Sequence, residues 1–216
     1  WQTSFINGGS PKIKSAEVWD SSLGSSDNLT ISNYENIFVT SGDTSSPPNP
    51  GAFGPTINNI TIDSGGFLTI TKNHSLTVYN NLTNNGTVTL NSDADEFSSI
   101  IVNGSSSGNI IYNRYVNIAV DNVTNENEWD LIGSPVDALS ISTFVNDNSS
   151  DIATNGSGTY ALGYYDNSSD SWTNYTDNTG DNDVATASNL TLGQGYQMAS
   201  DAGVTMAFTG TVVTSD

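Results

Sequence analysis

The sequence predicts an all-β protein in which a short β-solenoid or meander is followed by an antiparallel β-sandwich. Helical periodicity is almost absent from the 216 residues. Turn-forming dipeptides interrupt the chain about every six to twelve residues, which is the spacing of short strands. From Ile57 onward, a triplet of hydrophobic residue, Thr and hydrophobic residue returns several times. These three observations predict strands throughout and a repeat in the first half.

Residues 1–56 are predicted to be a leading segment with two kinds of sequence. The part up to about Trp19 indicates a leading strand region. The stretch 43–56, DTSSPPNPGAFGPT, carries four prolines. Because Pro lacks the backbone N–H that a central strand needs, we expect an irregular loop there.

Residues 57–108 carry the repeat. Its members are NITI at 59–62, FLTI at 67–70, SLTV at 75–78, NLT at 81–83 and TVTL at 87–90. The apolar residues alternate with Thr, so the apolar side chains share one face of each strand. Strands this short cannot bury a face alone, and we expect them either to stack as coils of a solenoid or to pair as a tight meander. The recurring Asn-rich corners favour the solenoid, with SIIV at 99–102 as a last coil and 103–109 as its end or a linker.

Residues 109–216 are predicted to form the β-sandwich. Aromatic and β-branched residues crowd the strand candidates, and the segments between them are rich in Asn, Asp, Ser and Gly, as in a sandwich. The strand candidates are 110–120, 129–136, 160–166, 171–176, 195–200 and 204–213.

The charge balance excludes several classes of partner. Four basic residues, Lys12, Lys14, Lys72 and Arg114, stand against 23 acidic ones, for a net charge of -19. Affinity for nucleic acid comes from basic residues that release counterions, so we expect no nucleic-acid partner. An anionic membrane surface is disfavoured for the same reason, and no apolar stretch is long enough to predict membrane insertion.

Composition also indicates the compartment. The chain has no Cys, which rules out disulfides and Cys-based metal sites. A surface composed largely of Asn, Ser, Thr and Gly is typical of extracellular proteins. The N-terminus lacks a basic region followed by an apolar one, so we expect a mature chain or fragment of an exported protein.

The order of the motifs resembles a known family. The repeated LTI and LTV triplets precede WDLIGSPV, then YALGYYDNSSDSWTNYT, then LTLGQGYQMASDAGVTMAFTGTV. This order resembles the large surface proteins that the type IX secretion system of gliding bacteria exports, in which a solenoid-like run precedes a β-sandwich. The resemblance covers roughly residues 57–214.

The resemblance implies export, a cell-surface location and an adhesin or repeat-protein role. It transfers no catalytic residue, because its motif residues would be core or strand-end positions; these are Trp129, Pro135, Trp172, Tyr196 and Phe208. The family continues beyond Phe-Thr-Gly whereas this chain stops at Asp216, so we expect a module whose last strand is open to a neighbour.

The acidic loops of the second half are a candidate calcium site. Hard oxygen ligands at short spacing suit Ca²⁺, which takes six to eight of them. The EF-hand pattern is not met, because no Glu closes the loop, and a solvated acidic loop is the alternative. The candidate ligands are Asp166, Asp170, Asp177, Asp181 and Asp183.

Four aromatic residues are candidates for binding a glycan: Tyr164, Tyr165, Trp172 and Tyr175. Exposed aromatic rings beside polar loops suit sugars, but strand alternation turns some of these rings inward, so at most half can be platforms. Core packing is the alternative. About a dozen Asn-x-Ser/Thr sequons, including Asn28, Asn59 and Asn174, make the chain a candidate glycoprotein.

Catalysis is the least favoured class. Carboxylate pairs could serve a glycosidase, and the candidates are Asp93, Asp95, Glu96, Glu126, Glu128 and Asp130. They lie in predicted loops, with almost no basic residue to stabilise developing negative charge. His74, the single histidine, fits a solvated corner and cannot form a histidine-based triad with those acids.

These observations lead to three hypotheses of different classes. The first is a non-catalytic extracellular structural or adhesive module that requires no cofactor and self-associates. The second is a carbohydrate-binding module of a secreted glycan-degrading enzyme, with surface glycans as partners. The third is a glycan hydrolase or lyase.

Overall fold

The structure is a computed structural model that describes residues 17–18, 26–32, 36–39, 56–120 and 128–214. Of the proline-rich stretch 43–56, only Thr56 belongs to these ranges. The described chain is β-rich with one short helix, which confirms the predicted fold class. No helix in these ranges is long and apolar enough to span a membrane.

The strands follow one another closely along the chain. The first twelve are β1 (Glu17–Val18), β2 (Asn28–Ile31), β3 (Asn36–Val39), β4 (Thr56–Ile57), β5 (Asn59–Ile62), β6 (Phe67–Ile70), β7 (Ser75–Val78), β8 (Leu82–Asn84), β9 (Thr87–Leu90), β10 (Ser99–Val102), β11 (Ser106–Ser107) and β12 (Ile110–Val116). The others are β13 (Asp130–Gly133), β14 (Val136–Asp137), β15 (Thr159–Asp166), β16 (Ser171–Thr176), β17 (Gly195–Met198) and β18 (Val204–Val212), with helix α1 (Ile141–Asp147) between β14 and β15.

The chain divides into two compact units. The first comprises residues 1–92, 96–112 and 210–216, and the second comprises residues 93–95 and 113–209. The first unit contains the predicted solenoid, and the second contains the antiparallel sheet.

The first unit is a three-sided parallel solenoid rather than a meander. Successive strands contribute in turn to three parallel sheets, one containing β2, β5, β8 and β11, one containing β3, β6 and β9, and one containing β4, β7 and β10. Each strand pairs with the strand one coil later, so that Ile60 lies beside Leu82, 22 residues further along the chain. A hydrophobic-Thr-hydrophobic triplet is therefore one side of a coil. The expectation that each triplet forms a coil of its own was wrong, because strands of three or four residues need two corners and two more strands before the chain returns to the same sheet.

Alternation along these short strands builds the solenoid core. Ile60, Ile62, Leu68 and Ile70 are completely buried, while the Thr residues between them are only partly buried. Each buried aliphatic side chain contributes about 1.5–3 kcal/mol relative to an exposed one. Because the pairing is parallel and in register, inward residues stack on inward residues from coil to coil, as Leu68 does on Val88. Packing of this kind explains the triplet without any ligand.

The Asn-rich corners form a ladder between coils. The side-chain amide of Asn59 donates to Asn28 Oδ1 at 2.7 Å, and Asn59 Oδ1 accepts the backbone N–H of Asn81 at 3.1 Å. Asn81 Oδ1 in turn accepts the backbone N–H of Ser105 at 3.1 Å. Corner residues have backbone groups that no sheet satisfies, and amide side chains provide their missing partners. The predicted end or linker at 103–109 contains Ser105 and β11, and so continues the solenoid.

The second unit contains an antiparallel sheet and part of a second sheet. The four-stranded sheet has the order β13-β17-β15-β16, and β18 is hydrogen-bonded to β14 on one side and to β12 on the other. Leu162, Tyr196 and Phe208 are buried in this unit. Phe208 packs against Phe144 of α1 with ring centroids 4.6 Å apart. The predicted sandwich is therefore present, with a helix added to it.

Two local features differ from the prediction. The candidate strand 129–136 is divided into β13 and β14, which belong to different sheets, because Pro135 interrupts it. Helix α1 was not predicted, since its sequence ISTFVND is rich in β-branched residues. It forms because Ser140 caps it, accepting the N–H of Thr143 at 3.0 Å, and because one side of the helix is buried.

Candidate functional site

The register of the four-stranded sheet divides the four predicted aromatic residues into two pairs. Tyr165 lies directly opposite Trp172, whereas Tyr164 lies opposite Thr173 on one neighbouring strand and Tyr196 on the other. Successive side chains of a strand point to opposite faces. Tyr165 and Trp172 therefore share the open face, and Tyr164 and Tyr175 share the other face with Tyr196.

The open face carries an exposed aromatic pair. Tyr165 is 40% exposed and Trp172 is 44% exposed, and their rings meet edge to face with centroids 5.4 Å apart. The Tyr165 hydroxyl donates a hydrogen bond to Asp170, which raises the pKa of Tyr165 and fixes the ring. A fixed, exposed aromatic pair provides an apolar surface that loses little entropy on binding.

Two hydrogen-bonded amide side chains cross the middle of the same face. Gln197 Nε2 donates to Asn174 Oδ1 at 2.6 Å, and Asn174 Nδ2 donates to the Tyr160 carbonyl at 2.9 Å. The bridge passes over Gly163, where an added Cβ would lie 2.6 Å from Asn174 Oδ1. Leu131, 69% exposed, lies next to Gln197 on the outer strand. The side-chain nitrogen of the Asn174 sequon is thus engaged within the fold.

The second unit also contains a cleft of about 430 Å³. Three tyrosines, a loop and the start of α1 line it: Tyr164, Tyr175, Tyr196, residues 180–183 and 186–189, Ile141, Thr191 and Gln194. The Tyr164 hydroxyl donates to Asn182 Oδ1 at 2.9 Å, and Tyr196 Oη accepts the N–H of Thr191 at 2.9 Å. Two of the three hydroxyls are therefore already bonded to the walls.

Tyr175 is the third tyrosine of the cleft, and it is only 8% exposed. Burial raises the pKa of its hydroxyl, and the neighbouring Tyr196 and Tyr164 hydroxyls raise this pKa further. Its ring lies 5.7 Å from that of Tyr164. Among the residues that the structure describes, no hydrogen bond of this hydroxyl is found. Tyr175 therefore presents an unused donor and acceptor to the cleft.

The loop after β16 brings acidic side chains to the cleft. It folds back on Thr176, which donates its N–H to the Asn182 carbonyl at 2.9 Å and accepts the N–H of Val184 at 2.8 Å. Asn182 adopts a φ of 66° at this return, a conformation that Asn tolerates better than most residues. The carboxylates of Asp181 and Asp183 line the cleft as a result, and no Lys or Arg of the described residues does.

The five predicted calcium ligands are divided between the two ends of β16. Asp166 and Asp170 lie at the turn between β15 and β16, because Asp166 pairs with Ser171. Asp177, Asp181 and Asp183 follow Thr176 at the other end, about 17 Å away at about 3.3 Å per strand residue. Within the described ranges, no three His, Cys, Asp or Glu residues are grouped so that they could hold a metal ion. One ion cannot be surrounded by all five carboxylates, and calcium binding at either end stays a prediction.

The carboxylates near the turn are occupied by local hydrogen bonds. Asp166 accepts the backbone N–H and the hydroxyl of Ser168, both at 2.8 Å, and the hydroxyl of Ser169 at 2.9 Å. These bonds stabilise the ionised form and lower the pKa of Asp166. The turn is therefore built around this carboxylate.

The candidate catalytic acids also make structural contacts. Asp93 accepts the N–H of Asp95 at 3.1 Å, and Glu96 lies 3.7 Å from the Lys72 ammonium. Asp130 accepts the N–H of Asn117 at 2.8 Å. Glu126 lies outside the described residues. His74 contacts its own corner, with Nδ1 2.7 Å from the Lys72 carbonyl.

The sequence alone did not single out Tyr196, Asn182 or Gln197 as members of a site. Tyr196 was expected in the core, where its ring lies, but its hydroxyl also reaches the cleft wall. Gln197 joins the open face through the register of β17 against β15, which is a long-range property. The turn-forming stretch around Gly180 is a local signal that could have indicated the return of the chain.

Comparison with known proteins identifies no relative of this chain. No protein-family model, curated protein or solved structure matches the chain. The resemblance to type IX surface proteins therefore stays a prediction.

Proposed function

We propose that this chain is a non-catalytic, extracellular structural and adhesive module of a surface-exported bacterial protein. The observation that carries the proposal is the in-register parallel solenoid, whose repeated residues are used for packing and for corner hydrogen bonds. Its inward positions are aliphatic except for Asn84, and its corner amides bond to one another, so that the repeat supports extension rather than a site. Adjacent coils add length in steps of about 4.8 Å, the spacing of neighbouring strands.

The adhesive part of this proposal rests on the outer strands of two sheets. β16 is the outer strand of the four-stranded sheet, with only its Thr176 end bonded to the returning loop in the described residues, and β10 ends one of the solenoid sheets in the same part of the chain. Outer strands carry backbone groups that can pair with another chain. A second copy of the chain is a partner that presents the same edges.

Sedimentation velocity over a range of protein concentrations tests this function. We expect the fraction of protein in species larger than the monomer to increase with concentration. In a separate activity assay, we expect no polysaccharide to be degraded. Turnover of a polysaccharide that is lost in Glu128→Gln or Asp95→Asn would instead establish an enzyme. A protein that stays monomeric and binds no surface component would contradict the adhesive role.

A second candidate function is glycan binding on the open sheet face. The exposed Tyr165–Trp172 pair favours it, because aromatic faces pack against the C–H faces of sugars. The carboxylates of Asp166 and Asp170 lie at the same turn, so an anionic glycan would be repelled. The ligand of this face is therefore a neutral glycan.

A glycan array, read with and without EDTA, tests the second candidate. We expect saturable binding to neutral glycans, with Trp172→Ala weakening it about tenfold, or about 1.4 kcal/mol. Tyr79 provides a matched control, since it is another exposed aromatic residue, at 48%, and lies in the solenoid. If Trp172→Ala and Tyr79→Ala bind as well as the unaltered protein, the open face is not the binding surface.

A further inference from the structure

We propose that the cleft lined by Tyr164, Tyr175 and residues 180–189 binds one uncharged sugar residue, independently of the open sheet face. The volume of about 430 Å³ lies within the range of about 300–1,000 Å³ that small-molecule sites occupy. The cleft is formed by strands β15, β16 and β17 on one side and by the returning loop on the other, so its walls are fixed by the sheet register.

The hydroxyl of Tyr175 is available to a ligand in the cleft. It is not among the buried side-chain atoms without a partner, which in the described residues are Ser98 Oγ and Ser106 Oγ, so it opens into the cleft, where a ligand hydroxyl can replace water. Tyr175 is more than nine-tenths buried and lines the cleft. Tyr164 and Tyr196, in contrast, already bond to Asn182 and to Thr191. A hydroxyl group of a ligand can supply the partner that Tyr175 lacks among the described residues.

The remaining lining selects the chemical class. Asn182, Asn189 and Gln194 present amides that both donate and accept, and Asp181 and Asp183 present carboxylates that accept. A sugar hydroxyl both donates and accepts, so it matches this mixed lining. An ammonium group only donates and would leave the amide donors unused. An anionic ligand would meet two carboxylates and no basic side chain in the lining.

The apolar part of the cleft fits the same ligand. The rings of Tyr164 and Tyr175 lie 5.7 Å apart, and Ile141 at the start of α1 adds an aliphatic side chain. Sugar rings combine hydroxyl groups with patches of C–H, and sites for them combine polar and aromatic residues. The tyrosine wall and the acidic loop supply these two kinds of contact within one cleft.

Saturation-transfer NMR and calorimetry with a defined set of sugars test this inference. The probes are glucose, galactose, mannose and N-acetylglucosamine, with glucosamine and glucuronate as charged counterparts. We expect at least one neutral sugar to bind saturably and glucuronate not to bind. Tyr175→Phe removes only the hydroxyl, and we expect it to weaken binding about tenfold. Asp181→Asn, at an exposed position, should also weaken binding without affecting folding.

Trp172→Ala separates this inference from the glycan-binding candidate of the open face. We expect Trp172→Ala to leave binding of the single sugars unchanged, and Tyr175→Phe to leave binding on the open face unchanged. The inference is overturned if none of the four neutral sugars saturates the protein, or if Tyr175→Phe binds them with unchanged affinity. Binding of glucosamine alone, lost in Asp181→Asn, would also overturn it, since the site would then recognise the ammonium group.

Discussion

Tyr175 combines a nearly buried ring with a hydroxyl that faces a polar cleft. The ring packs near Tyr164, while burial and the adjacent hydroxyls of Tyr164 and Tyr196 raise its pKa. The neutral form is therefore preferred in the folded protein. The stability of the second unit is therefore expected to fall as the pH rises into the alkaline range.

The protein should lose stability as the pH rises above about 10, and Tyr175→Phe should reduce this loss. An unfolded tyrosine has a pKa of about 10. The folded pKa is raised, so the stabilising contribution is fully present below that pH and is lost as the pH rises towards the folded pKa. Thermal melting at about pH 8 and at about pH 11 measures the difference.

The matched control for this prediction is Tyr79→Phe, because the ring of Tyr79 is exposed. We expect the melting temperature of Tyr79→Phe to fall with pH as that of the unaltered protein does. An equal fall for Tyr175→Phe would show that ionisation of Tyr175 is not responsible.

Helix α1 illustrates what could and could not be predicted at the level of elements. The strands of 57–108 were predictable because alternation with period two is local, and the inward residues found, such as Ile60 and Leu68, are those expected. The helix was not predictable because β-branched residues oppose it, and the Ser140 cap and long-range packing such as that of Phe144 against Phe208 offset them. The same reasoning applies to the cleft, since the residues that Tyr175 meets depend on strand register and on the return of a loop.

Asn148 attaches the end of α1 to β18. Its side-chain amide donates to the Phe144 carbonyl at 2.8 Å and to the Ala207 carbonyl at 3.0 Å, and its Oδ1 accepts the Ala207 N–H at 2.7 Å. The residue is 2% exposed. One amide therefore satisfies backbone groups of two elements.

We expect Asn148→Ala to lower the free energy of unfolding by about 2–4 kcal/mol, because the Ala207 N–H and carbonyl of β18 lose their side-chain partner, whereas the Phe144 carbonyl keeps the backbone N–H of residue 148. Asn146, on the exposed side of the helix, is the matched control. Asn146→Ala should change the unfolding free energy by less than about 0.5 kcal/mol. Urea denaturation of both variants measures these values, and equal effects would contradict the role of Asn148 as an attachment.

The whole molecule is dominated by its net charge of -19. Charge of one sign repels itself and destabilises the compact state. The four basic residues of the chain cannot offset this repulsion. The stability of the protein is therefore expected to depend on ionic strength.

Sodium chloride should raise the melting temperature between about 10 mM and about 150 mM, because the screening length falls from about 30 Å to about 8 Å. Differential scanning calorimetry measures the shift. A melting temperature that stays constant or falls would contradict the importance of self-repulsion.

Calcium chloride and magnesium chloride at equal ionic strength provide the control for ion-specific effects. Equal shifts indicate screening alone. A larger shift with calcium, lost in Asp166→Asn or in Asp183→Asn, would support calcium binding at one end of β16 and would identify that end.

The ladder of β3, β6 and β9 keeps its register although the chain lengths between its strands differ. Ile37 pairs with Leu68, 31 residues later, and Leu68 pairs with Val88, only 20 residues later, yet both pairs belong to one uninterrupted ladder. The entropy of closing a loop grows only slowly with its length. A coil of this solenoid can therefore differ in length from the next, so evolution can add sequence to a coil, or an engineer can graft an epitope, while the ladder keeps its pairing.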